Sequence, residues 1–158
     1  MFALRHFMSP IGIILIESNG DTITKIKITD EDLPKEISPH NQVLQHCTKE
    51  LAQYFEGSRT TFTFKYENSG TPFRQTVWQA LEKIPYGSTI SYKQLACNIN
   101  NQKAVRAVGG ANHNNNIWIV VPCHRVIGAN GNLTGYGGGI WRKQWLISYE
   151  KTNLNNFL

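Results

Sequence analysis

The chain of 158 residues, 41% of them hydrophobic, is long enough to bury a core as one domain or as two small domains packed together. Its longest apolar runs, near Ile11–Ile16 and Ile117–Val121, are far shorter than the roughly 20 residues that a membrane-spanning helix needs. The N-terminal residues show no long apolar stretch and no small-residue cleavage site, so no signal peptide is predicted. Three cysteines without a spacing pattern favour a reduced, cytoplasmic protein over a disulfide scaffold.

The net charge of +5 is divided unevenly along the chain. Residues 1–70 hold 7 Lys and Arg against 9 Asp and Glu, whereas residues 71–158 hold 9 Lys and Arg against 2 Asp and Glu. A basic second half favours contact with a polyanion such as nucleic acid, although a solvated basic face would give the same counts. Glu82 and Glu150 are the two acidic residues of this half, so each of them is a candidate for a specific role.

The first part of the chain predicts a small strand-rich domain over residues 1–68. Three runs rich in Ile, Leu and Thr are separated by turn sequences and are typical of strands: Phe2–Met8, Gly12–Ser18 and Thr22–Thr29. Apolar residues then recur at helical spacing from Val43 to Phe55, and Gly57 marks the end of that helix. A further strand is predicted at Thr61–Tyr66.

The second part, residues 71–158, predicts helices and one late strand. Thr71 fits an N-cap before a proline, and Ser91 begins a sequence that fits a capping box. The short helix after Ser91 and a second helix over about residues 102–112 resemble a helix-turn-helix. Ile117–Val121 is predicted to be an apolar strand. The Gly-rich loop TGYGGG (residues 134–139) precedes a last helix that is predicted to pack through Trp141, Trp145, Leu146 and Tyr149.

Cys123 has different surroundings from the other two cysteines. Cys47 and Cys97 lie among apolar residues and are interpreted as small buried hydrophobic side chains. Cys123 instead follows Pro122, which ends a strand because it cannot donate to a ladder. The histidine and arginine that come next are expected to favour the thiolate, which is the nucleophilic form.

The adjacent Cys123 and His124 leave more than one chemistry open. A metal site uses the same residue types, but it needs three or four ligands, and the other histidines form no ligand-spaced cluster with cysteines. A nucleophile with a base and an orienting group fits better, and Glu150 is the predicted orienting carboxylate. A solvated helix-end residue is the plain alternative for Glu150, and a buried structural thiol is the alternative for Cys123.

Four stretches between Thr71 and Glu150 carry a family resemblance. They are TPFRQTVWQALEKIPYGSTISYKQLA, AVRAVGGANHNN, VPCHRVIGANGNLTGYGGG and WRKQWLISYE. The chain resembles the DNA alkyltransferases that repair O6-alkylguanine, and the Pro-Cys-His-Arg-Val core with these flanks is highly specific. Residues 1–70 resemble that family in their layout of strands followed by a helix. The resemblance implies an α/β (α+β) fold with a ribonuclease H-like N-terminal domain and a winged-helix-like C-terminal domain.

The same resemblance implies direct-reversal DNA repair by a single-turnover reaction without a cofactor. The alkyl group of O6-alkylguanine, and also of O4-alkylthymine, would pass to Cys123, which is not regenerated. His124 would take the thiol proton through a water, Glu150 would orient the imidazole, and Tyr92 would donate a proton or hydrogen bond to the leaving base. The implied partner is double-stranded DNA, bound through its minor groove by a monomer.

Further residues are implied to bind the DNA. A duplex hides its base atoms, so the damaged nucleotide must be flipped out, and Arg106 would fill the vacated stack. Ala107 and Gly109 would allow the helix to approach the groove floor closely, although small residues also permit tight helix packing. Arg125 is the fourth residue assigned to DNA binding.

The guanine itself would be held mainly by backbone groups. Carbonyls at Cys123 and Val126 would accept from its amino group, and the Gly137 amide would reach its oxygen. Asn115 would tie the helix-turn-helix to the cysteine loop. The chain departs from the family at Asn116, where relatives commonly have a proline, which affects local stiffness and not the chemistry. No zinc is expected, because residues 1–46 contain no cysteine.

Two other functions compete with alkyl transfer. A non-catalytic lesion-binding protein of the alkyltransferase-like group would lack the nucleophile, so the presence of Cys123 argues against it. A hydrolase using cysteine, histidine and glutamate would turn over repeatedly, whereas an alkyltransferase stops after one event.

Overall fold

The computed structural model describes residues 1–157 and divides the chain into two compact units. The first unit comprises residues 1–69 and 116–120, and the second comprises residues 70–115 and 121–158. A predicted boundary between residues 68 and 71 therefore misses one detail, because the short segment Asn116–Val120 returns to the first unit. No helix in the described part of the chain is both long and apolar enough to span a membrane.

The first unit is built on a three-stranded antiparallel sheet in the order β1-β2-β3. Its strands are β1 (Ala3–Ser9), β2 (Gly12–Ser18) and β3 (Ile23–Thr29), as predicted within a residue or two. The turn between β2 and β3 forms because the Asn19 side chain accepts from the backbone amides of Asp21 and Thr22.

One helix, α1 (Gln42–Glu56), packs against this sheet. It begins where the Asn41 side chain accepts from the Leu44 amide, and it ends at Gly57, whose φ of 82° suits a residue without a Cβ. Its apolar side buries Leu44, Cys47, Leu51 and Tyr54 against the strands. The prediction of Cys47 as a buried hydrophobic side chain is confirmed.

Two predicted strands do not form. The segment 61–66 makes one isolated bridge, between Tyr66 and Ile23, and is held instead through the buried Glu50 carboxylate, which accepts from the amide and hydroxyl of Thr63. Ile117 likewise makes a single bridge, to Ile26, before residues 118–120 turn. The apolar run is buried because it fills a core, and a short apolar run alone does not reveal whether its backbone is extended.

In its described residues, the second unit contains four α-helices, two short 3₁₀ helices and one short parallel strand pair. Its elements are α2 (Pro72–Glu82), β4 (Ile90–Ser91), α3 (Tyr92–Asn98), α4 (Val105–His113), β5 (Val126–Ile127) and α5 (Ile140–Asn153). Thr71 and Ser91 cap α2 and α3 as predicted. The capping box is incomplete, because the Gln94 side chain donates to Asn98.

Helices α3 and α4 form the helix-turn-helix, and both pack against α2. The indole of Trp78 on α2 fixes α4 by donating to the carbonyl of Ala111 over 2.8 Å. Helix α4 begins at Val105, slightly later than predicted.

The packing predicted for α5 is confirmed at Leu146 and wrong at Trp141, which is 53% exposed. Trp145 and Tyr149 are half-buried and stack on each other beside Trp141. The buried face consists of Arg142, Lys143, Leu146, Glu150 and Asn153. Long polar side chains can be buried when their polar ends find partners, so the positions of the apolar residues did not predict which side of α5 is buried.

Cys97 on α3 is half-buried, so it is less enclosed than predicted.

Candidate active site

Cys123 begins a short 3₁₀ turn, Cys123–Arg125, that leads directly into β5. The residue is 4% exposed, and its amide donates to the Val121 carbonyl over 2.8 Å. Its own carbonyl accepts from the Val126 amide and, over 3.3 Å, from the side chain of Asn112. This carbonyl, which is expected to accept from the guanine amino group, therefore also accepts from two donors of the chain itself.

His124, the next residue, is fully buried and faces Glu150. Its Nε2 lies 2.7 Å from the carboxylate of Glu150, which comes from the last turns of α5. The Arg125 guanidinium contacts the same carboxylate with two N–H groups, at 2.7 and 3.0 Å. Glu150 is therefore the centre of a buried network and not a solvated helix-end residue.

The charges of this network follow from burial and bonding. Burial would raise the pKa of Glu150, but His124 and Arg125 outweigh it and hold that pKa well below the ordinary value. Burial lowers the pKa of His124 despite the opposing effect of Glu150, so the imidazole is neutral near pH 7. With Nε2–H donating to the carboxylate, Nδ1 is an unprotonated acceptor, and it has no hydrogen-bond partner among residues 1–157. His124 thus presents the lone pair that a general base requires.

Arg125 is placed differently from its predicted role in DNA binding. It is 6% exposed, and besides Glu150 it donates to the Ile84 carbonyl over 2.7 Å. A guanidinium with these interior partners is not available to a phosphate backbone. Its observed contacts fix the carboxylate that in turn fixes His124.

The Cys123 thiol is harder to ionise than its sequence neighbours suggested. Burial raises the pKa of Cys123 to about 11, against the effects of a hydrogen bond from Asn115 and of the Lys143 ammonium. Of the two neighbours expected to favour the thiolate, His124 does so through a hydrogen bond from its backbone, whereas the side chains of His124 and Arg125 contact Glu150. Asn115 also donates to the Val121 carbonyl over 2.7 Å and so ties the end of α4 to the cysteine segment.

The Gly-rich loop 134–139 is held by two buried cations that sequence reasoning missed. Arg142 donates to the Gly138 carbonyl over 2.9 Å, and Lys143 donates to the Thr134 carbonyl over 2.8 Å. The Tyr92 hydroxyl reaches the same Thr134 carbonyl, at 3.4 Å. Gly137 lies exposed in this loop. The only sequence signal for the two cations was their position, directly after a glycine-rich segment.

The exposed face of α4 carries small residues and one arginine. Arg106, Ala107 and Gly110 are exposed, whereas Val108 and Ala111 are buried. A Cβ added at Gly110 would meet no atom within 4 Å in the described chain. Tight helix packing therefore does not explain Gly110, and the absent side chain leaves this face open to a close approach from outside.

Family comparisons agree with this geometry. The model for the 6-O-methylguanine DNA methyltransferase DNA binding domain matches residues 72–152, and that for the ribonuclease-like domain of the same proteins matches residues 4–67.

The chain belongs to the 6-O-methylguanine DNA methyltransferase family.

Curated members of the 6-O-methylguanine DNA methyltransferase family align over nearly the whole chain. The methylated-DNA–protein-cysteine methyltransferase of Mycobacterium leprae is 43% identical over 154 residues, covering 96% of this chain and 93% of that protein. The constitutive enzyme of Bacillus subtilis is 43% identical over 151 residues, covering 90% and 92%.

Solved structures of the family share the fold. The Mycobacterium tuberculosis O6-methylguanine methyltransferase superposes with a TM-score of 0.85 at 40% identity, covering 100% of both chains. OGT from the same organism in complex with DNA gives 0.87 at 42% identity, covering 95% of this chain and 93% of that one. The predicted family and fold class are confirmed.

The structure brings some of the predicted site residues of this methyltransferase together. Cys123, His124, Glu150 and Asn115 form a connected group, and Tyr92 stands at the Gly-rich loop. Val126 is buried in β5. Gly109 lies close to the Tyr92 ring, since a Cβ added there would lie 4.0 Å from it. Within residues 1–157, no three His, Cys, Asp or Glu side chains are grouped so as to hold a metal ion.

Proposed function

We propose that this protein repairs DNA by transferring the alkyl group of O6-alkylguanine, and also of O4-alkylthymine, to its own Cys123. The observation that carries the proposal is the buried network in which Glu150 and Arg125 hold the neutral imidazole of His124 beside the nucleophile. Membership of the 6-O-methylguanine DNA methyltransferase family supports the same chemistry. No cofactor is needed, because the thiol is both acceptor and product.

The transfer is a displacement at the alkyl carbon. The Cys123 sulfur forms a bond to that carbon, the bond from carbon to O6 breaks, and its electron pair stays on the purine. Nδ1 of His124 takes the thiol proton through a water. Tyr92 donates a proton to the purine ring, so that the base leaves neutral, and then recovers a proton from solvent. Because the thioether is stable, each molecule acts once.

The DNA would be bound as a duplex, from its minor groove, by a monomer. The exposed side of α4 supports this part of the proposal: Ala107 and Gly110 permit close approach, and Arg106 is free to enter the stack vacated by the flipped nucleotide. Flipping costs a few kcal/mol, which contacts of this kind offset. Val126 and the Gly137 amide would then hold the guanine.

Intact mass measured after incubation with O6-methylguanine duplex DNA tests the proposal. The protein should gain one methyl group in place of a hydrogen, at most once, and peptide mapping should locate it on Cys123. Cys123→Ser should gain none and still bind DNA, whereas Cys97→Ser, the matched control at a half-buried thiol, should behave as wild type. Binding without a mass gain would indicate a non-catalytic lesion-binding protein. Repeated turnover would indicate a hydrolase.

A further inference from the structure

We propose that Tyr86 and Asn153 are positioning residues for the transfer. They hold the guanidinium of Arg125 in place, and Arg125 in turn fixes the Glu150 carboxylate that orients the basic imidazole. This inference rests on the proposed function, since it concerns the base of that reaction. The match to the DNA-binding family model ends at residue 152, so it does not include Asn153.

Arg125 has partners besides Glu150. Its Nη1 donates to the Ile84 carbonyl over 2.7 Å, and its guanidinium carbon lies 5.7 Å from the centre of the Tyr86 ring. A cation is attracted to an aromatic ring at this distance. Both partners lie in the segment that joins α2 to β4. The position of this segment therefore determines where the guanidinium can lie.

The same segment forms a tight turn that is closed against the end of α5. The Ser88 amide donates to the Pro85 carbonyl over 3.1 Å, and Gly87 has a left-handed backbone with a φ of 81°. A Cβ added at Gly87 would lie 2.9 Å from the Leu154 side chain, so the turn and the residue after α5 are in close contact. The Gly87 amide donates to the Glu150 carboxylate over 3.5 Å.

Tyr86 is itself held by α5 and the residues that follow it. Its hydroxyl accepts a hydrogen bond from the Asn153 side chain over 3.0 Å. The Phe157 ring meets the Tyr86 ring edge to face, with the ring centres 6.1 Å apart. Asn153 is 8% exposed, and its side-chain oxygen accepts from Asn156 over 2.6 Å. These contacts fix the tyrosine that faces Arg125.

The physical reason for such support is preorganisation. An arginine side chain has many rotamers, and its planar guanidinium must be correctly oriented to form two bonds to one carboxylate. The Ile84 carbonyl and the Tyr86 ring remove that freedom before any substrate binds. Because Glu150 accepts from both Arg125 and His124, a displaced guanidinium would change the electrostatic environment of the imidazole.

The test follows the uptake of a proton by His124 through the NMR signals of its imidazole. Burial lowers the pKa of His124 most, Glu150 raises it, and Arg125 and Lys143 lower it. In Tyr86→Ala the guanidinium should lose its fixed position and part of its effect, so we expect the pKa of His124 to rise by roughly 0.5. The other four histidines should titrate as in wild type: His6, His40, His46 and His113.

A double-mutant cycle tests the hydrogen bond itself. Tyr86→Phe keeps the ring and removes the hydroxyl, whereas Asn153→Ala removes the donor. Each should slow single-turnover transfer from free O6-benzylguanine about threefold, because the effect of one hydrogen bond reaches the imidazole through Arg125. The double variant should be no slower than either single variant, since both changes remove the same bond. Asn155→Ala, at an exposed asparagine of the same segment, should behave as wild type.

Unfolding temperatures separate positioning from a merely structural role. A variant that unfolds at a lower temperature but keeps the transfer rate and the His124 titration of wild type would overturn the proposal. Additive losses in the double variant would overturn it as well. If Tyr86→Ala does not fold, Tyr86→Phe and Phe157→Ala replace it, the latter at a residue that is 44% exposed. Both should change the transfer rate and the titration in the same direction, and unchanged values in both would contradict the proposal.

The outcome is separable from that of the proposed function. If wild type takes no methyl group from O6-methylguanine DNA, the proposed function fails, whereas the NMR titration still reports whether Tyr86 acts on His124. If wild type is methylated, Tyr86→Ala should slow transfer from the free base and from duplex DNA by the same factor, because it acts on the imidazole. A loss on duplex DNA alone would assign Tyr86 to DNA binding and overturn the proposal.

Discussion

The Nε2 atom of His124 lies 2.7 Å from the Glu150 carboxylate, and both side chains are almost completely buried. The pair joins the turn that carries the nucleophile to the last turns of α5, across 26 residues of sequence. Arg125 completes it with two bonds to the same carboxylate. The arrangement fixes one tautomer of the imidazole and leaves Nδ1 as its basic atom.

Removing the charge of Glu150 should damage both reactivity and stability. In Glu150→Gln the guanidinium of Arg125 remains buried without its anion, so we expect a loss of about 3–5 kcal/mol in the free energy of unfolding. Transfer should also slow, because the imidazole loses the negative charge that stabilises it when it takes the thiol proton. Urea denaturation and single-turnover rates measure the two effects. Glu82→Gln is the matched control, since Glu82 is the other acid of residues 71–158 and is exposed. Equal stability of the two variants would contradict the prediction.

Acid should destabilise the protein partly through His124. Burial lowers the pKa of His124 in the folded state below the unfolded value of about 6.5, so the unfolded chain binds the proton first as the pH falls. The stability from neutral His124 is thus fully present above about pH 6.5 and is lost as the pH falls through the folded pKa. Thermal unfolding between pH 7.5 and 5.5 should show a smaller decline for His124→Asn than for wild type. His113→Asn, at an exposed histidine, should decline as wild type does.

Arg106→Ala should slow repair in duplex DNA much more than repair of a single strand or of the free base. The side chain performs no bond chemistry in the proposed mechanism, and the cost of unstacking that it offsets exists only in a duplex. Single-turnover rates on the three substrates at saturating protein separate this effect from general affinity. Lys103→Ala removes another exposed charge just before α4 and serves as the control. Equal losses on all three substrates would instead show that Arg106 supports the pocket or the fold.

Gly110→Ala should make the protein more stable and a weaker DNA binder. Alanine is favoured over glycine inside a helix by roughly 0.5–1 kcal/mol, and an added Cβ meets no atom within 4 Å in the described chain. If DNA approaches this face closely, the methyl group should weaken binding to undamaged duplex, and a larger residue should weaken it further. Chemical denaturation and fluorescence anisotropy measure the two quantities. If neither Gly110→Ala nor the larger substitution at this position changed the affinity, DNA would not contact this face of α4.

Binding to undamaged duplex should weaken steeply with salt. Arg125, Arg142 and Lys143 are buried. The other six Lys and Arg residues of positions 71–158 are therefore the ones able to contact DNA phosphates. For Z phosphate contacts the slope of log affinity against log salt is about −0.9Z. Lys93→Ala, on the exposed side of α3, should reduce the slope by about 0.9 if Lys93 makes one contact. If the affinity of wild type did not change with salt, these basic residues would not contact the DNA phosphates.

The sequence predicted those features that local chemistry determines. Thr71 and Ser91 start helices because their side chains bond to the next turn, and Gly57 ends one because it tolerates a left-handed backbone. The adjacency of Cys123 and His124 and the scarcity of acids made Glu150 a candidate partner, and the family resemblance was needed to choose it over a solvated helix-end residue.

The features that were missed depend on tertiary structure. Lys143 and Arg142 are buried because their ends reach loop carbonyls, and apolar periodicity assigns charged residues to the surface. Ile117 and Tyr66 are residue types that favour strands, but each makes only one bridge to β3 in the described chain. The path of the backbone on either side of each residue prevents further pairing, and residue type does not reveal that path. The interior position of Arg125 could not be separated from a DNA contact without knowing where its guanidinium points.

The bridges from β3 to Tyr66 and Ile117 have a consequence for synthesis of the chain. The outer edge of β3 is covered at Ile23 and Ile26 by segments that lie about 40 and 90 residues further along the chain. While the ribosome is still making the second unit, that edge offers the unpaired amide and carbonyl of Ile26 to other nascent chains. A chain truncated at residue 69 would keep the bridge from Tyr66 to Ile23, but it would leave the edge open at Ile26 and would lack the apolar side chains of Ile117 and Ile119. We therefore expect such a fragment to aggregate, and cotranslational folding of the first unit to finish only after residue 117 has left the exit tunnel.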